Sequence, residues 1–145
     1  LNINKLNINI IKEIITVLLT LSKYIPGFRH NDLHFLNIIM RDNKPIIIDF
    51  DYSTIFNLLN PKITPDITNR YGIRNDGNIF YDIHYFLNQL LHKKISLTSD
   101  IIKFIHNIIP KELRGMNKKK ILSDYRLLQN YNAKLILDKL SISDL

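Results

Sequence analysis

The stretches HNDLHFLNII at residues 30–39 and IIIDFD at residues 46–51 decide how this sequence folds. Each contains a run of apolar, mostly β-branched residues, and the connection between them at residues 41–45 is polar and rich in turn formers. Apolar runs on both sides of such a connection are typical of a β-hairpin. We therefore predict two short antiparallel strands at Asn37–Met40 and Ile46–Phe50.

Two carboxylates and one amide lie near the outer end of this predicted hairpin. Asp32 precedes the first strand, Asn37 begins it, and Asp49 is near the end of the second. Because a short turn brings the outer ends of antiparallel strands together, Asn37 and Asp49 should be neighbours. Their oxygens suit Mg²⁺, which binds through one or two protein oxygens together with substrate phosphates. Asp32 is then free to face an incoming hydroxyl group.

Both stretches resemble motifs of the protein-kinase-like superfamily. Residues 30–37 carry the His, Asp, Leu and Asn of its catalytic loop in order, and residues 48–51 are similar to its metal-binding Asp-Phe-Gly segment. The resemblance implies that Asp32 orients or deprotonates an acceptor hydroxyl group. It also implies that Asn37 and Asp49 hold Mg²⁺ at the phosphates of ATP.

Three further residues receive roles from this resemblance. His30 would support the catalytic loop against the metal-binding segment, and His34 would lie with Asn37 and Asp49 against the nucleotide. Asp82 stands where such folds keep an aspartate that accepts hydrogen bonds from the catalytic-loop backbone. From the residues alone, Asp82 could equally be an ordinary solvated residue of a helix.

The remainder of the chain is predicted to be helical on both sides of one irregular segment. Apolar residues at helical spacing predict a helix at Ile8–Tyr24 that is buried on most sides. Prolines and glycines among polar residues predict an irregular segment at Asn57–Asn78. Further helices are predicted at Ile79–His92, at Ser99–Ile109 with Ser99 as the N-cap, near Lys120–Gln129 and at Ala133–Leu140. The expected fold is mainly α within the α+β class: one domain over residues 1–145 that resembles the carboxy-terminal lobe of a kinase, with the motifs on its small β-hairpin.

Three residues depart from the kinase pattern. Asn31 stands where many regulated protein kinases have an arginine that pairs with a phosphorylated loop, so the resemblance implies that this switch is absent. His34 replaces the lysine typical of serine/threonine kinases and is common in kinase-like enzymes that phosphorylate small molecules. Asp51 replaces the glycine of the metal-binding segment and is either an additional ligand or the mark of a degraded site.

The sequence contains no part that resembles the amino-terminal lobe of a kinase. The glycine-rich loop, the strand lysine and the helix glutamate that grip the nucleotide have no counterpart, and the chain begins at Leu1 without a methionine. We therefore expect a fragment of a longer kinase, with weak ATP binding and little turnover by itself.

Composition excludes several other classes of function. The absence of cysteine rules out disulfides, thiolate catalysis and cysteine-ligated metals. The net charge of +7 comes from basic residues spread along the chain, so nucleic acid is not the expected partner.

The longest apolar run, Ile10–Leu21, is interrupted by charges and too short for a bilayer, so no membrane span is expected. His84, His92 and His106 show no metal-ligand spacing and are expected to be ordinary surface or core residues.

Taken together, these features predict an ATP-dependent phosphotransferase of the divergent serine/threonine protein kinase type. It would use Mg²⁺ and ATP, and its acceptor would be a hydroxyl group of a protein or a small molecule. Two alternatives stay open: a small-molecule kinase similar to aminoglycoside or choline kinases, which His34 favours, and a catalytically inactive kinase-like binding module, which Asp51 favours. The expected location is the cytoplasm, or the host cytoplasm or virion if the source is a virus.

Overall fold

Four helices and one β-hairpin form the described part of the chain, which in this computed structural model comprises residues 6–71, 73, 75, 81–92, 96–109, 111 and 114. The elements, in chain order, are α1 (Ile8–Tyr24), a 3₁₀ turn (Phe35–Asn37), β1 (Ile38–Arg41), β2 (Lys44–Ile47), α2 (Pro65–Tyr71), α3 (Tyr81–His92) and α4 (Ser99–Ile108). This mixture of helices with a small antiparallel sheet is compatible with the predicted α+β class.

Helix α1 has the predicted bounds. It begins after Asn7, whose side-chain oxygen accepts a hydrogen bond from the Ile10 backbone N–H at 3.0 Å and so caps the first turn. Its buried residues follow helical spacing on one face: Ile11, Ile14, Ile15, Leu18 and Leu19. The expectation of burial on most sides holds in part: β2, α3 and α4 pack against α1, while Glu13 and Val17 stay exposed.

The β-hairpin forms as predicted but with different bounds. Its strands pair antiparallel from Ile38 opposite Ile47 to Arg41 opposite Lys44. The turn contains only Asp42 and Asn43, at φ angles of 49° and 61°. Asn and Asp tolerate positive φ, and a turn with positive φ at both central residues matches the twist of the strands. The predicted connection at residues 41–45 is too long, because Arg41, Lys44 and Pro45 lie in the paired strands, with Arg41 opposite Lys44 and Pro45 opposite Met40.

Helix α2 corrects the prediction of an irregular segment at residues 57–78. Thr64 caps this helix by accepting a hydrogen bond from the Ile67 backbone N–H at 3.3 Å, and Pro65 is its first residue. Asp66 lies in the first turn, where a negative charge favours the helix dipole. Threonine followed by proline and aspartate is a helix-start signal that could have located α2 from the sequence.

The other predicted helices agree more closely with the helices of the structure. α3 is described from Tyr81, and residues 79 and 80 lie outside the described residues. The N-cap of α4 is Thr98 rather than Ser99, and α4 ends one residue earlier than predicted. The helices predicted near residues 120–129 and 133–140 lie outside the described residues.

The core lies between α1, α3, α4 and the hairpin. Leu33, within the loop at residues 30–37, and Ile38, directly after it, are fully buried in this core. Burying each of these side chains stabilises the fold by roughly 1.5 to 3 kcal/mol. The core therefore anchors the middle and the end of the loop at residues 30–37, which carries predicted site residues. No helix in the described part of the chain is long and apolar enough to cross a membrane.

Candidate functional site

The carboxylate of Asp82 holds the beginning of the loop at residues 30–37. Asp82 lies in the first turn of α3 and is only 2% exposed. Its oxygens accept hydrogen bonds from the backbone N–H groups of His30, at 2.6 Å, and Asn31, at 2.8 Å. Such charge-assisted bonds are roughly twice as strong as neutral ones. Asp82 is thus a buried backbone clamp, and the alternative of a solvated helix residue is wrong.

His30 lies between this loop and the chain that follows β2. Its Nδ1 accepts a hydrogen bond from the Asp32 backbone N–H at 3.3 Å, which leaves Nε2 to donate to the Ile48 carbonyl oxygen at 2.9 Å. The His30 ring also packs at 5.1 Å from the Phe50 ring. A single buried imidazole therefore connects the backbone of Asp32 to that of Ile48, the residue before Asp49.

Hydrogen bonds within the loop bring Asn37 back to Asp32. The Asn37 side-chain Nδ2 donates to the Asp32 carbonyl oxygen at 3.0 Å, and the His34 backbone N–H donates to the same oxygen at 2.9 Å. Since Asn37 uses its nitrogen in this bond, its Oδ1 is the atom that can accept a cation. Leu33 in the core and the 3₁₀ turn at Phe35–Asn37 fix the loop between these contacts.

The Asp32 carboxylate is half-buried and close to other charges. Its side chain is 32% exposed and lies 3.8 Å from Nε2 of His34. Burial raises the pKa of Asp32; His34 and His30 oppose this effect, whereas the negative charges of Asp49 and Asp82 add to it. A carboxylate with a raised pKa has a greater affinity for a proton than a solvated one.

Asp49 lies directly after the hairpin. The Ile48 backbone N–H donates to the Asn37 carbonyl oxygen at 2.9 Å, which extends the strand pairing by one residue on each strand. Asp49 is therefore the first residue after the partner of Asn37. Asp49 is exposed and has a φ angle of 62°, a conformation that Asp tolerates better than most residues. The structure therefore brings the chain at Asp32, Asn37 and Asp49 together around one loop.

Asp51, which replaces the glycine of the kinase motif, is engaged in an ion pair. Its Oδ2 lies 2.6 Å from Nζ of Lys62, and both side chains are exposed. Hydrogen bonding to Asp51 raises the pKa of Lys62. The negative charge of Asp51 is thus matched by a neighbouring positive charge.

Sequence reasoning missed a group of asparagines around the site. Asn31 was noted only as a departure from the motif, and Asn60 and Asn75 were not singled out. Yet Asn31 and Asn60 donate side-chain hydrogen bonds to the chain after Asp49. The one available signal was the richness of this region in asparagine, a residue that accepts positive φ and bonds to backbone groups.

Comparison with known proteins identifies a divergent protein-kinase-like protein. Residues 30–140, more than half of the chain, match the model of the poxvirus serine/threonine protein kinase family. The chain belongs to this family. The match confirms that the chain is protein-kinase-like, as the motifs at residues 30–37 and 48–51 indicated.

A viral relative is consistent with this family. A protein of Acanthamoeba polyphaga mimivirus, named as a candidate serine/threonine-protein kinase, is 29% identical over 155 aligned residues. The match covers 79% of this chain and 33% of the mimivirus protein, so the chain spans about a third of that relative's length. No solved structure matches the chain.

Proposed function

We propose that residues 1–145 form the carboxy-terminal lobe of a divergent serine/threonine protein kinase, which transfers the γ-phosphoryl group of ATP to a hydroxyl group. The observation that carries this proposal is the Asp82 clamp on the backbone of His30 and Asn31, which holds Asp32 half-buried beside Asn37 and Asp49. A carboxylate positioned by its backbone, rather than by partners on its own oxygens, is available to an incoming group.

Asp32 is the residue that faces the acceptor hydroxyl group. Its carboxylate receives no hydrogen bond from the described residues, so both oxygens remain able to accept the hydroxyl proton. Because burial raises its pKa, Asp32 takes up that proton more readily than a solvated aspartate does. The position of Asp32 and the proton affinity of its carboxylate thus both support its role as the acceptor of the hydroxyl proton.

Asn37 and Asp49 are the residues that would hold Mg²⁺ with the nucleotide, and His34, whose Nε2 lies 3.8 Å from Asp32, would lie against the nucleotide beside them. In the described ranges, no three His, Cys, Asp or Glu side chains group closely enough to hold a metal ion by themselves. The proposed set fits a nucleotide-bound Mg²⁺, which needs only one or two protein oxygens because phosphates and water supply the rest. When bound, the ion neutralises charge on the phosphates that are transferred and released.

The family match favours a serine or threonine hydroxyl group over a small-molecule acceptor. The ion pair between Asp51 and Lys62 also weakens the case for an inactive binding module. The positive charge of Lys62 offsets the negative charge that Asp51 adds to the motif. A small-molecule acceptor stays the second candidate on account of His34.

Two substitutions separate metal binding from proton transfer. We expect calorimetric titration to detect ATP binding that requires Mg²⁺, and Asp49→Asn to weaken it by roughly tenfold or more, as losses around metal sites do. Asp32→Asn should leave this binding within about twofold yet abolish the low level of phosphoryl transfer to casein that we expect of this chain by itself.

Asp66→Asn is the matched control, since Asp66 is exposed on α2 and pairs only weakly with Arg70 at 3.9 Å. This variant should bind and transfer as the unmodified chain does. ATP binding that is the same with and without Mg²⁺, or that survives Asp49→Asn unchanged, would contradict the proposed function.

A further inference from the structure

The chain that follows Asp49 docks along the chain that precedes Asp32. We call residues 52–56 the docked segment. Its Phe56 backbone N–H donates to the Pro26 carbonyl oxygen at 2.8 Å, and Thr54 exchanges two backbone hydrogen bonds with Arg29, at 2.9 and 3.0 Å. Thr54 and Arg29 form an antiparallel bridge. Two loops that are separate in sequence therefore run side by side beneath the site.

Asn31 joins three parts of the molecule at the end of this contact. Its backbone N–H is held by Asp82 on α3, as described above. Its side-chain Nδ2 donates to the Tyr52 carbonyl oxygen at 2.9 Å and to Oγ1 of Thr54 at 3.2 Å. Asn31 is 1% exposed and has a φ angle of 67°, so this arrangement is buried and needs a residue that tolerates positive φ.

Further asparagines continue the same network. Asn60 Nδ2 donates to the carbonyl oxygens of Asp51, at 2.9 Å, and Ser53, at 2.8 Å. The Asn60 backbone N–H donates in turn to Oδ1 of Asn75 at 2.9 Å. These are neutral bonds, whereas the exposed Asp51–Lys62 ion pair is of the kind that is screened by salt and contributes little to stability.

We propose that Asn31 is a positioning residue, which couples the loop that carries Asp32 to the docked segment that follows Asp49. Asn31 precedes Asp32 directly, and the docked segment begins three residues after Asp49. A shift of either chain relative to the other would therefore change the spacing of the two carboxylates. The coupling uses neutral amide bonds of the unmodified chain, so it needs no added phosphate. The roles of Asp32 and Asp49 in this inference rest on the proposed function.

Asn31→Gly tests the coupling, because glycine keeps the positive φ and removes the side-chain amide. Asn43→Gly is the matched control: it makes the same change at a φ of 61° in the exposed hairpin turn. Amide hydrogen exchange is measured at Thr54 and Phe56 of the docked segment and at Leu87 and Leu90 in the buried part of α3. Asn31→Asp is a second variant, which keeps the size of the side chain but replaces the donor by an acceptor.

We expect Asn31→Gly and Asn31→Asp to speed exchange at Thr54 and Phe56 by roughly tenfold or more, because both variants lose the two hydrogen bonds that the Asn31 side chain donates to the docked segment. Exchange at Leu87 and Leu90 should not change, and Asn43→Gly should alter neither region. Titration with ATP and Mg²⁺ should show weaker binding for Asn31→Gly than for Asn43→Gly.

Other results overturn the inference. Unchanged exchange at Thr54 and Phe56 in both variants means that Asn31 does not hold the docked segment. Faster exchange at all four amides in both variants means that Asn31 supports the whole fold rather than this contact. If the unmodified chain shows no ATP binding that depends on Asp49, the proposed function fails, while the exchange measurements still decide the coupling.

Discussion

Asp32 and Asp82 are both buried to some degree, but their surroundings differ. Asp82 is almost fully buried and uses its two oxygens to accept backbone N–H groups. Asp32 keeps about a third of its side chain exposed, and burial raises its pKa without a hydrogen-bond donor among the described residues to offset the cost. Carboxylates whose environments differ in this way commonly divide between structural and reactive roles.

The raised pKa of Asp32 makes its charge a cost to folding. Because the pKa of Asp32 in the folded state lies above its ordinary value of 3.8, the ionised carboxylate destabilises the native state at neutral pH. We expect Asp32→Asn to raise the Tm at pH 7 by about 1 to 2 °C, a small effect because the group is partly solvated. The gain should shrink as the pH falls through the folded-state pKa, since Asp32 itself then becomes neutral.

Thermal denaturation from pH 7 down to pH 4 measures this effect, with Asp66→Asn as the exposed control that should not raise the Tm. If the Tm of Asp32→Asn at pH 7 were below that of the unmodified chain, the charge of the Asp32 carboxylate would stabilise the fold rather than destabilise it, which would contradict this prediction.

At the scale of elements, the loop between α1 and the site depends on close approach to the docked segment. Gly27 has a φ angle of 71°, and a Cβ atom there would lie 2.8 Å from the Phe56 backbone nitrogen. The neighbouring Pro26 carbonyl oxygen accepts the Phe56 N–H. Only glycine permits both the conformation and this backbone contact.

We expect Gly27→Ala to lower the free energy of unfolding by about 2 to 4 kcal/mol, because positive φ and a backbone clash add together. Urea denaturation measures the loss. Asn43→Ala is the comparison: it also has positive φ, but it lies in an exposed turn, so it should lose only about 1 to 2 kcal/mol. Equal losses in the two variants would mean that the contact with Phe56 carries no steric cost.

At the scale of the whole molecule, α3 is the element on which the fold and the site both depend. Its apolar residues Phe86, Leu87 and Leu90 are fully buried in the core with α1 and α4. Its polar residue Asp82 holds the site loop. Destabilising this helix should therefore affect the core and the site together.

His84 links the stability of this core to pH. Burial lowers the pKa of His84 to about 3, and the Asn88 side chain donates to its Nε2 at 2.9 Å. Between the unfolded value of 6.5 and about 3, only the unfolded chain takes up this proton, so stability is lost as the pH falls through that range. We expect the free energy of unfolding to decrease by up to about 1.4 kcal/mol per pH unit there.

Urea denaturation between pH 7 and pH 4 measures this slope. His84→Gln should flatten it, whereas His106→Gln, at an exposed position of α4, should leave it unchanged. A slope that is the same in all three proteins would assign the acid sensitivity to other groups.

Local patterns in the sequence determined the features that depend on neighbouring residues. The bounds of α1 follow from apolar spacing and the stop at Pro26, and the hairpin follows from two apolar runs around a turn. The motifs around Asp32 and Asp49 were enough to indicate a protein-kinase-like protein, although the roles of the site residues remain predictions. Helix α2 was missed although its start signal is local.

Only the tertiary structure decided which distant groups meet. Asp82 lies 52 residues from His30, His30 bonds 18 residues ahead to Ile48, and Asn31 bonds 21 residues ahead to Tyr52. The resemblance to kinases led us to expect the roles of Asp82 and His30, but the residues by themselves left Asp82 open, and the bond from Asn31 to Tyr52 was not expected. Packing α3 and the hairpin into one core buries polar groups, and buried polar groups need hydrogen-bond partners. The packing also decides which groups lie within hydrogen-bond distance of one another.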